Sequence, residues 1–88
     1  MHEFVAHIDS GHGWLEVPRK LLTELEIADD ITPYSYQKGE NVYLEEDCDA
    51  GTFIKAYQDK HAVKVGFFEC HTDRSPIRNY QHYTREEG

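Results

Sequence analysis

The chain has 88 residues, the size of one domain, and none of its apolar runs approaches the roughly 20 residues a membrane span needs. Seventeen Asp and Glu face 9 Lys and Arg, a formal net charge of −8, a field that repels phosphate backbones and argues against direct nucleic-acid binding. A content of 39% hydrophobic and 30% charged residues excludes a wholly disordered chain.

The opening Met1-His2-Glu3-Phe4 has neither a basic nor an apolar leader segment, so no secretory signal and a cytoplasmic setting are expected. Residues 3–8 alternate, with Phe4, Ala6 and Ile8 on one side, which predicts a strand. The cluster Asp9-Ser10-Gly11-His12-Gly13 predicts a turn, and Trp14-Leu15-Glu16-Val17 a second strand, giving a hairpin.

Pro18 suits the first position of a helix, because its missing N–H is not needed there. Leu21, Leu22, Leu25 and Ala28 then form one apolar stripe on a helix of about ten residues. Asp29-Asp30 ends it. Tyr34-Ser35-Tyr36-Gln37 and Val42-Tyr43-Leu44-Glu45 predict a second hairpin around Lys38-Gly39-Glu40-Asn41. Asp47 or Asp49 is placed to cap a second helix, whose buried stripe is Ala50, Phe53, Ile54, Tyr57 and His61. Val63, Val65 and Phe67 alternate in a last strand reaching His71.

The predicted order is β-β-α-β-β-α-β: an α+β fold with a small antiparallel or mixed sheet and two helices on one face. Residues 1–71 form the single domain. Residues 72–88 form a polar C-terminal tail with Ile77, Tyr80 and Tyr83 as candidate anchors.

Two resemblances bear on function. Residues 13–45, with Gly13-Trp14-Leu15-Glu16-Val17-Pro18-Arg19-Lys20-Leu21-Leu22 and the hairpin at 34–45, resemble the strand-Pro-helix-hairpin pattern of AbrB-type swapped-hairpin regulators. That resemblance implies a dimer meeting DNA through basic residues, and only Arg19 and Lys20 match such a role, beside Glu16, Asp29 and Asp30. Across most of the chain, His7-Ile8-Asp9-Ser10-Gly11-His12-Gly13-Trp14-Leu15-Glu16-Val17-Pro18 and Tyr43-Leu44-Glu45-Glu46-Asp47-Cys48-Asp49-Ala50 resemble small uncharacterised proteins of phages and prophages. This second resemblance implies an accessory protein that binds and redirects a host protein.

Charge is uneven along the chain. Residues 1–62 carry 13 acids and 5 bases, whereas residues 63–88 carry 4 of each. Glu45-Glu46-Asp47-Cys48-Asp49 places four carboxylates in five positions, which suits either the start of a helix or a surface for a basic partner. Tyr34, Tyr36 and Tyr43 can share one sheet face, an interface if no helix covers it. Asp29, Asp30, Tyr34, Tyr36, Tyr43, Glu45, Glu46, Asp47 and Asp49 are therefore the candidate partner-binding residues.

His7 and His12 have a spacing compatible with zinc, but no paired cysteine motif accompanies them, and adjacent Cys70 and His71 point to opposite faces of a strand. Two cysteines are too few for a disulfide framework and are expected as reduced thiols. Ser10 does not lie in a nucleophile elbow.

The sequence thus predicts a non-enzymatic protein that needs no cofactor and binds a basic host protein, imitating nucleic acid in its groove. A homodimer is compatible with it. An AbrB-like DNA-binding regulator and a small metal- or thiol-dependent enzyme using Cys48 or Cys70 stay open as alternatives.

Overall fold

Residues 2–85 are described by the structure, a computed structural model, so expectations for Met1 and for the tail beyond 85 lie outside the described residues. β1 (His2–Ile8) and β2 (Gly13–Pro18) form the first hairpin, pairing antiparallel with Ala6 opposite Leu15 and His7 opposite Trp14. β3 (Tyr36–Lys38) and β4 (Asn41–Glu45) form the second, turning through Gly39 at φ +60°, a conformation glycine adopts without a Cβ penalty. β4 pairs with β2, and β5 (Val65–His71) runs parallel to β1. The tail adds β6 (Gln81–His82), which pairs with β3. The result is a six-stranded mixed sheet of order β5-β1-β2-β4-β3-β6.

Alternation sorts these strands into two faces. Leu15, Val17, Val42 and Leu44 point to the face covered by α1 (Arg19–Glu24) and α2 (Asp49–His61), where Leu22, Ala50, Phe53 and Tyr57 close the core. The expected α+β class with both helices on one face is thus the observed architecture. Phe4 stands edge-on to Phe53 at 5.2 Å between ring centroids. Burying each of Leu22, Leu44 and Phe53 contributes roughly 1.5–3 kcal/mol.

α1 is shorter than the Leu stripe predicts. Glu26 adopts the left-handed conformation at φ +59°, its N–H donates to Thr23 O, and the Ile27 N–H reaches back to Leu22 O. That double bond pattern ends a helix, so Ala28 falls in a separate 3₁₀ turn, Ala28–Asp30. Pro18 closes β2 rather than opening the helix.

α2 keeps Ala50, Phe53 and Tyr57 buried, but His61 lies exposed in its last turn. Ala62 ends it at φ +54° and ψ +36°. A Cβ in that region costs about 1–2 kcal/mol, and the greater freedom of unfolded glycine returns about 0.5–1 kcal/mol. Ala62→Gly is therefore expected to stabilise the fold by up to about 1 kcal/mol. A higher urea midpoint at unchanged slope is the readout, and a lower midpoint counts against the assignment.

The second face is not open. From β5 the chain crosses beneath the sheet as a strap, a 3₁₀ turn at Pro76–Asn79, and rejoins at the opposite edge as β6. Ile77 packs with Trp14 and Tyr43 in a second, smaller core that Tyr36 and Tyr80 flank. Tyr43 does point away from the helices, as alternation requires, yet the strap buries it.

Candidate functional site

Two aspartates tie the irregular segments to this sheet. Asp9, in the β1–β2 turn, accepts from the amides of Gly11 and His12 at 3.0 Å each, closing the turn on itself. The same carboxylate reaches the strap, accepting from the Ser75 N–H at 3.0 Å and from Arg78 Nε at 2.6 Å and Nη2 at 2.9 Å. The Arg78 hydrogen bond first, then the Ser75 amide, holds the Asp9 carboxyl far below the usual carboxylate range. Arg78 also lies over the Trp14 ring at 5.4 Å.

Asp49 does the same on the other face. It is fully buried at the first position of α2, so the predicted Asp cap gives way to Cys48, which makes no side-chain cap bond. Asp49 Oδ2 accepts from the Thr32 N–H at 3.1 Å, Thr32 Oγ1 at 2.8 Å and Ser35 Oγ at 2.5 Å. The Ser35 hydroxyl in turn accepts from the Glu45 N–H at 2.9 Å. The loop before β3 is thereby clamped against the turn between β4 and α2.

The clamp sets the Tyr34 loop against an acidic stretch that is distant in sequence. Tyr34 projects into solvent, 73% exposed, beside Glu45 and Asp47. Glu46 and Asp47 are exposed and Glu45 is half-buried. The Asp47 N–H donates to Glu45 Oε1 at 2.9 Å. Glu46 lies over Gly13, where a Cβ would stand 2.8 Å from its Oε2, so the glycine makes room for that carboxylate. Among the described residues none of Glu45, Glu46 and Asp47 forms an ion pair.

A cleft of about 420 Å³ is lined by Tyr34, by the rings of Trp14, Tyr36 and His82, and by Glu45, Asp47 and Cys48. Tyr36 is half-buried and stacks on His82 at 4.7 Å.

The other candidates lie elsewhere. Asp29 and Asp30 are exposed in the Ala28–Asp30 turn, and Asp29 pairs with Arg85 at 2.7 Å. Tyr43 is 7% exposed and Asp49 is fully buried. Tyr43 therefore serves the inner packing and Asp49 the clamp; neither offers surface to a partner. His12 and two tail residues, Arg78 and His82, also line the cleft; the sequence offers His12 as a zinc-spaced histidine and the tail pair as residues that pack on the domain or reach a partner, but no strand or helix period brings the three together. The two strong turn signals in Asp9-Ser10-Gly11 and Ser75-Pro76 were the available hint.

The Asp49 charge first, then burial, pushes the Cys48 thiol up, away from the thiolate that acts as nucleophile. Cys48 and Cys70 are both free of disulfides. Among the described residues no three His, Cys, Asp or Glu side chains converge as a metal site. Of the basic pair Arg19 and Lys20, Lys20 is exposed, whereas Arg19 turns to Gln37 Oε1 at 2.6 Å and to the Thr84 carbonyl at 3.3 Å. No described helix is long and apolar enough to cross a membrane.

The chain matches no protein-family model, and neither the curated proteins nor the solved structures contain a match to it.

Proposed function

We propose that this chain is a non-enzymatic accessory protein of phage type that occupies the basic surface of a host nucleic-acid-binding or defence protein. The observation that carries this reading is the group Glu45, Glu46 and Asp47, without ion-pair partners among the described residues, of which Glu45 and Asp47 line one cleft with exposed Tyr34. Such carboxylates can accept hydrogen bonds from the Lys and Arg that a host protein turns toward phosphates. Tyr34 adds apolar contact at low entropic cost, since its side chain has few torsions to freeze. The Asp49 clamp supports the reading further, because a pre-ordered surface gives up less freedom on binding.

The test is retention of a basic host protein on the immobilised chain, with elution across a salt gradient and competition by DNA. Release at moderate salt and displacement by DNA are expected. Each exposed charge contact contributes about 0.2–1 kcal/mol, so Glu45→Gln, Glu46→Gln and Asp47→Asn together should weaken binding roughly threefold to a hundredfold. Affinity that stays flat with salt, or survives the triple variant, ends the mimicry reading.

A further inference from the structure

We infer that a second copy of this chain docks on the free edge of β5, pairing the two β5 strands antiparallel about a two-fold axis into one continuous sheet.

The two edges of the sheet differ. At one end β6 is only two residues long, too short to template another strand. At the other, β5 presents seven residues without a proline, among them Phe67 at 48% and Phe68 at 63% exposure. Natural edges of this length are usually blunted by proline, bulges or charge, and β5 itself holds a single formal charge, Glu69.

Its hydrogen-bonding groups are ordered for a partner. Lys64 O accepts from the His2 N–H and the Thr72 N–H donates to Ile8 O, so even-numbered residues face β1. Odd-numbered Phe67, Glu69 and His71 therefore direct both N–H and C=O outward. The Val65 N–H, also outward, is already taken by Gln58 Oε1 at 3.0 Å.

Self-pairing selects a register. With the axis between two Phe68 residues, Phe67 meets Glu69 of the second copy and Val65 meets its His71. The two Phe68 rings then form a close, non-hydrogen-bonded cross-strand pair. An axis at Glu69 sets like charges face to face. An axis at Phe67 leaves Phe68 opposite Gly66, so the exposed Phe68 rings lose their mutual contact.

Charge favours this edge over the rest of the surface. Within residues 63–75, Lys64 and Arg74 balance Glu69 and Asp73, although the whole chain carries −8. Because β5 pairs with β5 and the far edge is blunted, the contact closes as a dimer and does not propagate. The two phenylalanines expose together about 200 Å² per copy, well under the roughly 800 Å² per partner of a standard interface, so affinity in the micromolar range or weaker is expected.

Sedimentation velocity over a concentration series, on the whole chain and on Phe68→Asp, is the test. The wild type should dimerise reversibly, while the variant stays monomeric with an unchanged circular dichroism spectrum. Hydrogen exchange at Phe67, Glu69 and His71 should slow as concentration rises. Salt should strengthen the dimer, because it screens repulsion between two acidic copies. That sign is opposite to the one expected for the acidic host-binding surface, so either reading can fail without the other. A wild type that stays monomeric at millimolar concentration overturns the inference, as does a Phe68→Asp dimer of equal strength or a dimer without slowed exchange at those amides.

Discussion

Asp49→Ala is expected to destabilise the fold by about 3–5 kcal/mol, while Asp49→Asn stays within about 1 kcal/mol of the wild type. The alanine removes the acceptor for the Thr32 N–H, the Thr32 hydroxyl and the Ser35 hydroxyl at once. It also leaves a void at a fully buried position. Asparagine keeps the acceptor. All three donors converge on Oδ2, and among the described residues Oδ1 has no hydrogen-bond partner. An amide can therefore place its carbonyl where Oδ2 stands and its NH₂ at the vacant position, trading a buried charge for a weaker set of neutral bonds. Urea unfolding of the two variants measures the difference. A folded Asp49→Ala protein should also hold the 29–35 loop less firmly and present Tyr34 and Asp47 in a looser arrangement. Equal losses for alanine and asparagine would show that the charge, rather than the acceptor geometry, holds the clamp.

How far such features can be read from sequence depends on their range. The hairpins and α2 follow from local signals: period-two alternation through Leu15 and Val17 or Val42 and Leu44, and the stripe Ala50, Phe53 and Tyr57. α1 misled because its Leu stripe continues past Glu26, and no composition signal announces a glutamate in the left-handed region. Tyr43 was legible in direction but not in burial. Alternation places it opposite the helices, and whether that face is covered depends on Ile77, more than thirty residues later.

Asp49 shows the same limit in the candidate site. An aspartate at the start of a helix normally faces solvent and caps. Here the hydroxyls of Thr32 and Ser35 draw it inward, a pairing across fourteen to seventeen residues that no local rule contains. The acidic stretch itself was visible. Its division into a surface part, Glu45 to Asp47, and a buried anchor was not. The same holds at the edge of the sheet: alternation makes Phe67 look like a core residue, and only the strand order leaves it at a margin.

Asp9 answers the same substitution in the opposite way, and pH exposes why. Each of its oxygens meets only donors: Oδ1 the Gly11 and His12 amides and Arg78 Nη2, Oδ2 the Ser75 amide and Arg78 Nε. Whichever way the side-chain amide of an Asp9→Asn variant turns, its NH₂ opposes N–H groups, so this substitution is expected to release the strap at neutral pH. Trp14 reports this directly. It is the only tryptophan, 3% exposed against Ile77, and its emission should shift to the red as the strap lifts while the helical signal persists. In the wild type the folded Asp9 pKa lies below its ordinary value of 3.8, chiefly through Arg78. Its contribution to stability is therefore complete above about pH 4 and declines as pH falls through and below that value. The wild type should lose the buried emission of Trp14 only in that acid range, and its stability should fall there more steeply than that of Asp9→Asn. An unshifted emission in Asp9→Asn at neutral pH, or an equal acid slope in both proteins, would remove Asp9 as the anchor of the strap.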